Sequence, residues 1–250
     1  MRLIITGLFL ILYLVLGSIY LGIEWIISKV SPDKSVLRQF RCVQKAFRVV
    51  GFLSGVKVHE KGRENIPVDE PVLYVANHRS IFDIVVAYPR CVGLTGFVSK
   101  ISMAKVPLLN LFMSRTHCLF MDRDDIKQSL KIILQAIEQV KHGESIFIFP
   151  EGTRNKNRED ATDVAEFKEG SFKIAQKGKC KIVPVAITGT AEIFENHLPW
   201  IHGGHVYLTF GEPVDISMLD KETQKRVGEY CSARVKEMLI EQQEQIKARQ

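Results

Sequence analysis

The chain has 250 residues, 46% of them hydrophobic, and a formal net charge of +6 at neutral pH. This is enough apolar material for a full core, one domain plus an appendage. The charge raises a nucleic-acid reading that its location argues against: residues 1–55 carry seven basic and two acidic groups, +5 of the +6, leaving 56–250 near neutrality.

Leu3 to Ile23 is a run of 21 residues without a charge, long enough at ~1.5 Å per residue to span the ~30 Å hydrocarbon core of a bilayer. No small-x-small cleavage site follows it, so membrane attachment is expected over a cleaved signal peptide. Six of the seven basic groups follow the run, which places the rest of the chain on the cytoplasmic side.

Over 34–54, Phe40, Val43, Phe47 and Val50 form an apolar stripe beside a basic one of Arg38, Arg41, Lys45 and Arg48. Two readings stand for this amphipathic helix: lying on an anionic lipid surface, or packing its apolar face on the body. Residues 1–55 are thus expected to be membrane-anchoring helices and 56–250 an α/β domain.

Within the body, short apolar runs alternate with helical patterns. Strands are predicted at 56–60, 71–76, 94–98, 116–121, 145–149, 181–187 and 205–210. Helices are predicted at 80–88, 103–114, 124–141, 170–177 and 219–247. The alternation predicts a mixed, largely parallel sheet flanked by helices. Asn155 to Glu166 is polar and reads as a mobile loop. Pro184, interrupting Ile182 to Ile187, predicts an edge strand or a bulge beside a site.

Two stretches at strand exits carry chemistry. Asn77-His78-Arg79-Ser80-Ile81-Phe82-Asp83 places a histidine just after one strand and a carboxylate in the next helical turn, a general base with its orienting group. Ser80-x-x-Asp83 is equally a capping-box pattern, and the two readings are compatible. Phe149-Pro150-Glu151-Gly152-Thr153-Arg154 follows another strand. Its arginine offers a forked donor matched to phosphate or carboxylate, and Glu151 would orient Arg154 or a neighbouring donor. Arg123 and Lys100, each near a strand end, are further anion-site candidates.

The cysteines Cys42, Cys91, Cys118, Cys180 and Cys231 are scattered, odd in number and without metal spacing, which fits buried thiols in a reducing compartment. His197, His202 and His205 lie close enough in sequence to suggest a metal site, but the surrounding prolines and glycines make the stretch look like a loop. The sequence holds no Gly-x-Ser-x-Gly elbow, P-loop or His-Glu-x-x-His, so serine-hydrolase and nucleotide-triphosphatase readings have no support.

Together these blocks resemble the glycerolipid acyltransferase family, specifically the bacterial 1-acylglycerol-3-phosphate acyltransferases. The resemblance covers about residues 50–215, with four blocks in family order. The His-x4-Asp block is Asn77 to Asp83, the second is Phe120-Met121-Asp122-Arg123, the third is Phe149 to Arg154, and the fourth is Val183-Pro184-Val185-Ala186-Ile187.

The resemblance implies acyl transfer from a thioester, acyl-CoA or acyl carrier protein, to the sn-2 hydroxyl of lysophosphatidic acid, giving phosphatidic acid. It implies His78 as base, Asp83 as its orienter, and Arg123, Glu151, Gly152 and Arg154 as the phosphate site, with Lys100 a further contact. The fourth block falls to the acyl or donor side.

No metal or cofactor is expected, and the partners are membrane lipids and the acyl donor, not nucleic acid. Direct attack by the acceptor needs no covalent serine, and amides near the start of helix 80–88 are candidate oxyanion donors. Competing readings are a sibling enzyme acting on glycerol-3-phosphate, another lysophospholipid, or a lipid A or ornithine-lipid precursor, and a non-catalytic lipid-binding protein on the same fold.

Overall fold

The computed structural model describes residues 1–157 and 159–248. Every predicted strand is found: β1 (Val56–Lys61), β2 (Val72–Ala76), β3 (Thr95–Lys100), β4 (Leu119–Met121), β5 (Ser145–Ile148), β6 (Lys181–Thr188) and β7 (Gly204–Phe210). They form one sheet in the order β1-β7-β6-β2-β5-β3-β4. Among the strands of the described residues, only the β6–β7 pairing is antiparallel. The mixed, largely parallel α/β sheet is as expected.

Strands buried on both faces read as continuous apolar runs, because either side of the pleat meets a helix layer. In β2, Val72 to Ala76 are all buried and alternate between two cores. Val72, Tyr74 and Ala76 face the layer of α2 (Pro32–Leu53) and α3 (Phe82–Ala87). Leu73 and Val75 face α5 (Ile126–Lys141), α6 (Lys173–Gly178) and α8 (Val227–Lys247).

The amphipathic segment 34–54 becomes α2, and its apolar stripe is spent on the body. Phe40 and Val50 are buried there, and the rings of Phe40 and Phe47 pack tilted against Tyr88 at 5.0 and 5.2 Å between centroids. The reading in which this stripe lies on lipid is therefore set aside. Gln44 donates to the carbonyls of Tyr88 and Cys91, while Arg41, Lys45 and Arg48 stay exposed.

The uncharged run becomes α1 (Arg2–Ile27), the one helix among the described residues long and apolar enough to cross a membrane. It packs along α2 and against α4 (Leu109–Arg115), with Tyr13 meeting Phe112 at 5.2 Å. Buried Glu24 accepts from Arg38, Ser35 and Tyr20, tying the end of α1 to α2.

Several predicted boundaries move for local reasons. His117 (φ 57°) turns the chain, so β4 starts at Leu119 and not at 116. Leu108 (φ 62°) divides the predicted helix 103–114 into a 3-10 turn and α4. Asp220 accepts from the amides of Glu222 and Thr223, a turn that delays α8 to Val227. Pro184 lies in β6, an interior strand of the sheet. It falls where the pairing register slips by one residue, between Ile182↔Val214 and Val185↔Phe210, so the proline sits at a bulge and not on an edge.

Candidate active site

Strands β6, β2, β5, β3 and β4 run in the same direction, so the segments that follow them collect at one edge. The connection from β2 to β3 carries α3 on one face, whereas that from β5 to β6 carries α6 on the other. Diverging crossovers of this kind open a crevice between the two strand ends. The His78 loop leaves β2 there, and the Glu151 turn leaves β5.

The loop and α3 form one hydrogen-bonded unit. His78 Nδ1 lies 2.8 Å from Asp83 Oδ2, which also accepts from the amides of Arg79 (2.7 Å) and Ser80 (2.9 Å). The Thr190 hydroxyl donates to Oδ1 at 2.5 Å. With that many donors around it, the fully buried Asp83 carboxylate acts as an acceptor. The proton between the pair therefore sits on Nδ1, leaving the Nε2 lone pair free for another proton. Phe149 stacks on the imidazole at 4.0 Å between centroids and fixes its plane. Asp83 also satisfies the Ser80 amide, one half of the capping box, while Ser80 Oγ accepts from the Phe82 amide, so the orienting and capping roles of the carboxylate share one arrangement.

Glu151 clamps the loop from β5. Its Oε1 accepts from the His78 amide at 2.6 Å and its Oε2 from the Ala165 amide at 3.0 Å. Burial pushes this carboxyl above the ordinary glutamate range, against the pull of those two amides. The neighbouring donor it orients is thus the backbone of His78. Arg79 donates to the carbonyls of Asn157, Asp160 and Asp163, so the polar stretch expected to be mobile is stapled to the site.

Every amide from His78 to Ile84 already has an acceptor. Those of His78, Arg79, Ser80, Ile81 and Phe82 go to side chains, and those of Asp83 and Ile84 go to the carbonyls of Ser80 and Ile81. The expectation that amides at this helix start hold an oxyanion is therefore not met by this arrangement.

The basic residues are held differently. Arg154 is half exposed and donates through Nη1 to Glu195 at 2.8 Å. Gly152 takes φ 78°, and a Cβ there would come within 2.9 Å of Lys168 Nζ. Its amide donates to the Phe149 carbonyl, so its contribution is the backbone turn that presents Arg154. Lys100 ends β3 opposite Met121 of β4, and Arg123 follows two residues later. Both lie on the same edge as His78, but on strands two and three positions away, about 10 and 14 Å at the usual strand spacing. Half-buried Arg123 makes no ion pair among the described residues, and burial pushes its guanidinium below the ordinary arginine value.

Sequence reasoning missed Thr190, Glu195 and the ties of Asn77, whose side-chain amide donates to the Ile187 carbonyl and accepts from its amide. Thr190 and Glu195 come from the α7 (Thr190–Ile193) region more than 100 residues beyond the loop they serve, where no spacing signals them. The three-histidine idea fails. His197 stacks on His202 at 4.0 Å, whereas His205 pairs with His59, and no cluster among the described residues could hold a metal.

A family profile described as Acyltransferase matches residues 57–188, more than half of the chain. The chain belongs to the acyltransferase family. Among its relatives, a 1-acyl-sn-glycerol-3-phosphate acyltransferase of Escherichia coli is 26% identical over 250 residues, covering 100% of this chain and 96% of that one. Another of the same description from Borreliella burgdorferi is 26% identical, covering 83% and 80%. The solved 1-acyl-sn-glycerophosphate (LPA) acyltransferase of Thermotoga maritima superposes with a TM-score of 0.76 at 27% identity, over 97% of this chain and 98% of that one. The match to that structure includes the amino-terminal helices as well as the sheet.

Proposed function

We propose that this acyltransferase moves an acyl chain from a thioester to the sn-2 hydroxyl of 1-acylglycerol-3-phosphate, giving phosphatidic acid. The observation that carries the reading is the His78–Asp83 pair, with the Nδ1 proton committed to a buried carboxylate and Nε2 left over. An alcohol needs a base as it attacks, and a positioned imidazole supplies ~10²–10⁴-fold of rate. His78 Nε2 takes the hydroxyl proton while the oxygen bonds to the thioester carbonyl carbon. Collapse then breaks the carbon–sulfur bond, and the departing thiolate receives the proton from the imidazolium, whose charge Asp83 offsets.

Arg154 is the nearest phosphate ligand, because its turn packs on the His78 loop through Glu151. Arg123 and Lys100, farther along the edge, assist it. The donor is acyl-CoA or acyl carrier protein.

The reaction takes place at a membrane, and the body faces the cytoplasm by the charge asymmetry about α1. Support for α1 lying half-immersed along the lipid surface, not crossing it, comes from its course. Its Arg2 guanidinium rests against Gly55 and Gly203 of the body, and its far end is tied to α2. An outer stripe of Ile4, Leu8, Ile11, Val15 and Ile19 remains exposed for acyl chains.

The test is acyl transfer by detergent-solubilised protein from labelled acyl-CoA and acyl carrier protein. Acceptors are lysophosphatidic acid, glycerol-3-phosphate and lysophosphatidylcholine, with a His78→Ala control. Phosphatidic acid from the wild type alone supports the reading. Transfer only to another acceptor keeps the chemistry and overturns the substrate, and no transfer from folded protein overturns the reaction.

A further inference from the structure

Glu195 lies outside all four sequence blocks, in the 3-10 turn Glu195–His197 after α7. Only 6% of its side chain is exposed, beside an arginine that is 52% exposed. Its Oε1 accepts from both Arg154 Nη1 and the Ile81 amide, each at 2.8 Å. Oε2 is buried without a hydrogen-bond partner among the described residues.

A carboxylate oxygen left in that state is costly, and the Ile81 amide alone could be satisfied by a neutral acceptor. What a neutral acceptor cannot supply is a fixed negative charge against a half-exposed guanidinium. A free arginine side chain carries much rotamer freedom, which phosphate binding would have to remove. Held at Nη1 by a buried partner, the guanidinium keeps its remaining donors, Nε and Nη2, in one plane for an oxyanion. The same carboxylate grips Ile81, between the base and its orienter in the chain. One side chain therefore sets the distance between the phosphate-binding arginine and the His78–Asp83 loop.

We propose that Glu195 is the positioning residue that orients Arg154 toward the acceptor's phosphate and couples it to the catalytic loop. This rests on reading Arg154 as the phosphate ligand in the proposed reaction.

The test compares wild type, Glu195→Gln, Arg154→Ala and the double variant in acyl transfer to lysophosphatidic acid, reading KM and kcat separately. Glutamine keeps an acceptor for the Ile81 amide and nearly the same shape, so the fold should persist; thermal unfolding within a few degrees of wild type checks it. Expected is a KM rise of about tenfold for Glu195→Gln with kcat changed less than about threefold. In the Arg154→Ala background the same substitution should add nothing to KM, because its effect passes through the guanidinium.

A KM rise in Arg154→Ala with wild-type kinetics in Glu195→Gln would overturn the positioning role while leaving the phosphate reading intact. Additive effects in the double variant would also overturn it, since Glu195 would then act elsewhere. An unchanged KM in Arg154→Ala would overturn the phosphate reading itself, and this inference with it.

Discussion

Around His78, each backbone amide of the loop has an acceptor and the carboxylate of Asp83 collects three donors on one oxygen. Around Arg154, Lys100 and Arg123 the pattern reverses: among the described residues one carboxylate, Glu195, touches one of the three cations. The loop is rigid before any ligand arrives, as a buried and satisfied polar network should be. Beyond that one contact with Glu195 the basic row makes no ion pair among the described residues, and burial depresses the Arg123 guanidinium. A base must be aimed in advance because its lone pair has to meet one proton. A doubly charged phosphate is attracted from a distance, so one arginine held in place by Glu195 can be joined by donors that close on the anion as it arrives.

Removing His78 should produce the largest effect. His78→Ala is expected to lower kcat by ~10³-fold or more, within the range of base catalysis plus lost alignment. The unfolding temperature should move by only a few degrees, since the loop's amides remain bonded to Asp83 and Glu151. Asp83→Asn keeps a carbonyl for the imidazole but loses the charge that stabilises imidazolium, and should lower kcat by ~10²-fold or more. If either variant raised KM while sparing kcat, the division between an aimed base and a waiting anion site would break down.

The difference between the two regions also explains what the sequence disclosed. The loop was legible because its partners are five residues apart and its strand, Val72 to Ala76, is an unbroken apolar run. The capping signal Ser80-x-x-Asp83 pointed to the same turn. The strand set was legible for the same reason, while boundaries at His117 and Leu108 were not, because positive φ at non-glycine residues leaves no compositional mark. Glu195 and Thr190 were invisible for another reason. They reach the loop only because β6 lies beside β2, a neighbour relation that the chain order does not contain. Arg154 could be picked as a cation, but not the carboxylate that holds it. Of the two readings that Pro184 left open, an edge strand or a bulge, the bulge is the one found, because a bulge in an interior strand tolerates a missing N–H as well as an edge does.

The basic row can be ranked by position along the sheet edge. Arg154→Ala should raise KM for lysophosphatidic acid by about 10- to 100-fold, as expected when a charge-assisted bond to phosphate is lost. Lys100→Ala and Arg123→Ala, two and three strands from His78, should raise it only about three- to tenfold. Steady-state kinetics on the three variants decides the order. Arg123→Ala exceeding Arg154→Ala would move the phosphate toward β4 and require the acceptor to lie across the edge in a more extended pose.

A second histidine–carboxylate pair sharpens the comparison by supplying a version without the built surroundings. His117 Nδ1 lies 2.9 Å from both oxygens of Glu144, but the His117 side chain is 35% exposed. The pair stands just before β4 and β5 begin, at the end of the sheet opposite His78. Its hydrogen bond to Glu144 outweighs partial burial and raises the imidazole above its ordinary value. A raised folded value means that the stabilisation is fully present below the unfolded histidine pKa of about 6.5 and disappears as pH climbs through the folded value. Glu144→Gln should therefore lower the unfolding temperature by about 1–2 °C near pH 5.5, the scale of a solvent-screened pair in a chain of this size. By about pH 9 the variant and wild type should coincide, with acyl transfer unaffected throughout. A loss of activity in Glu144→Gln would mean that the opposite end of the sheet communicates with the His78 loop, and that the self-contained network seen there is not sufficient to hold the base.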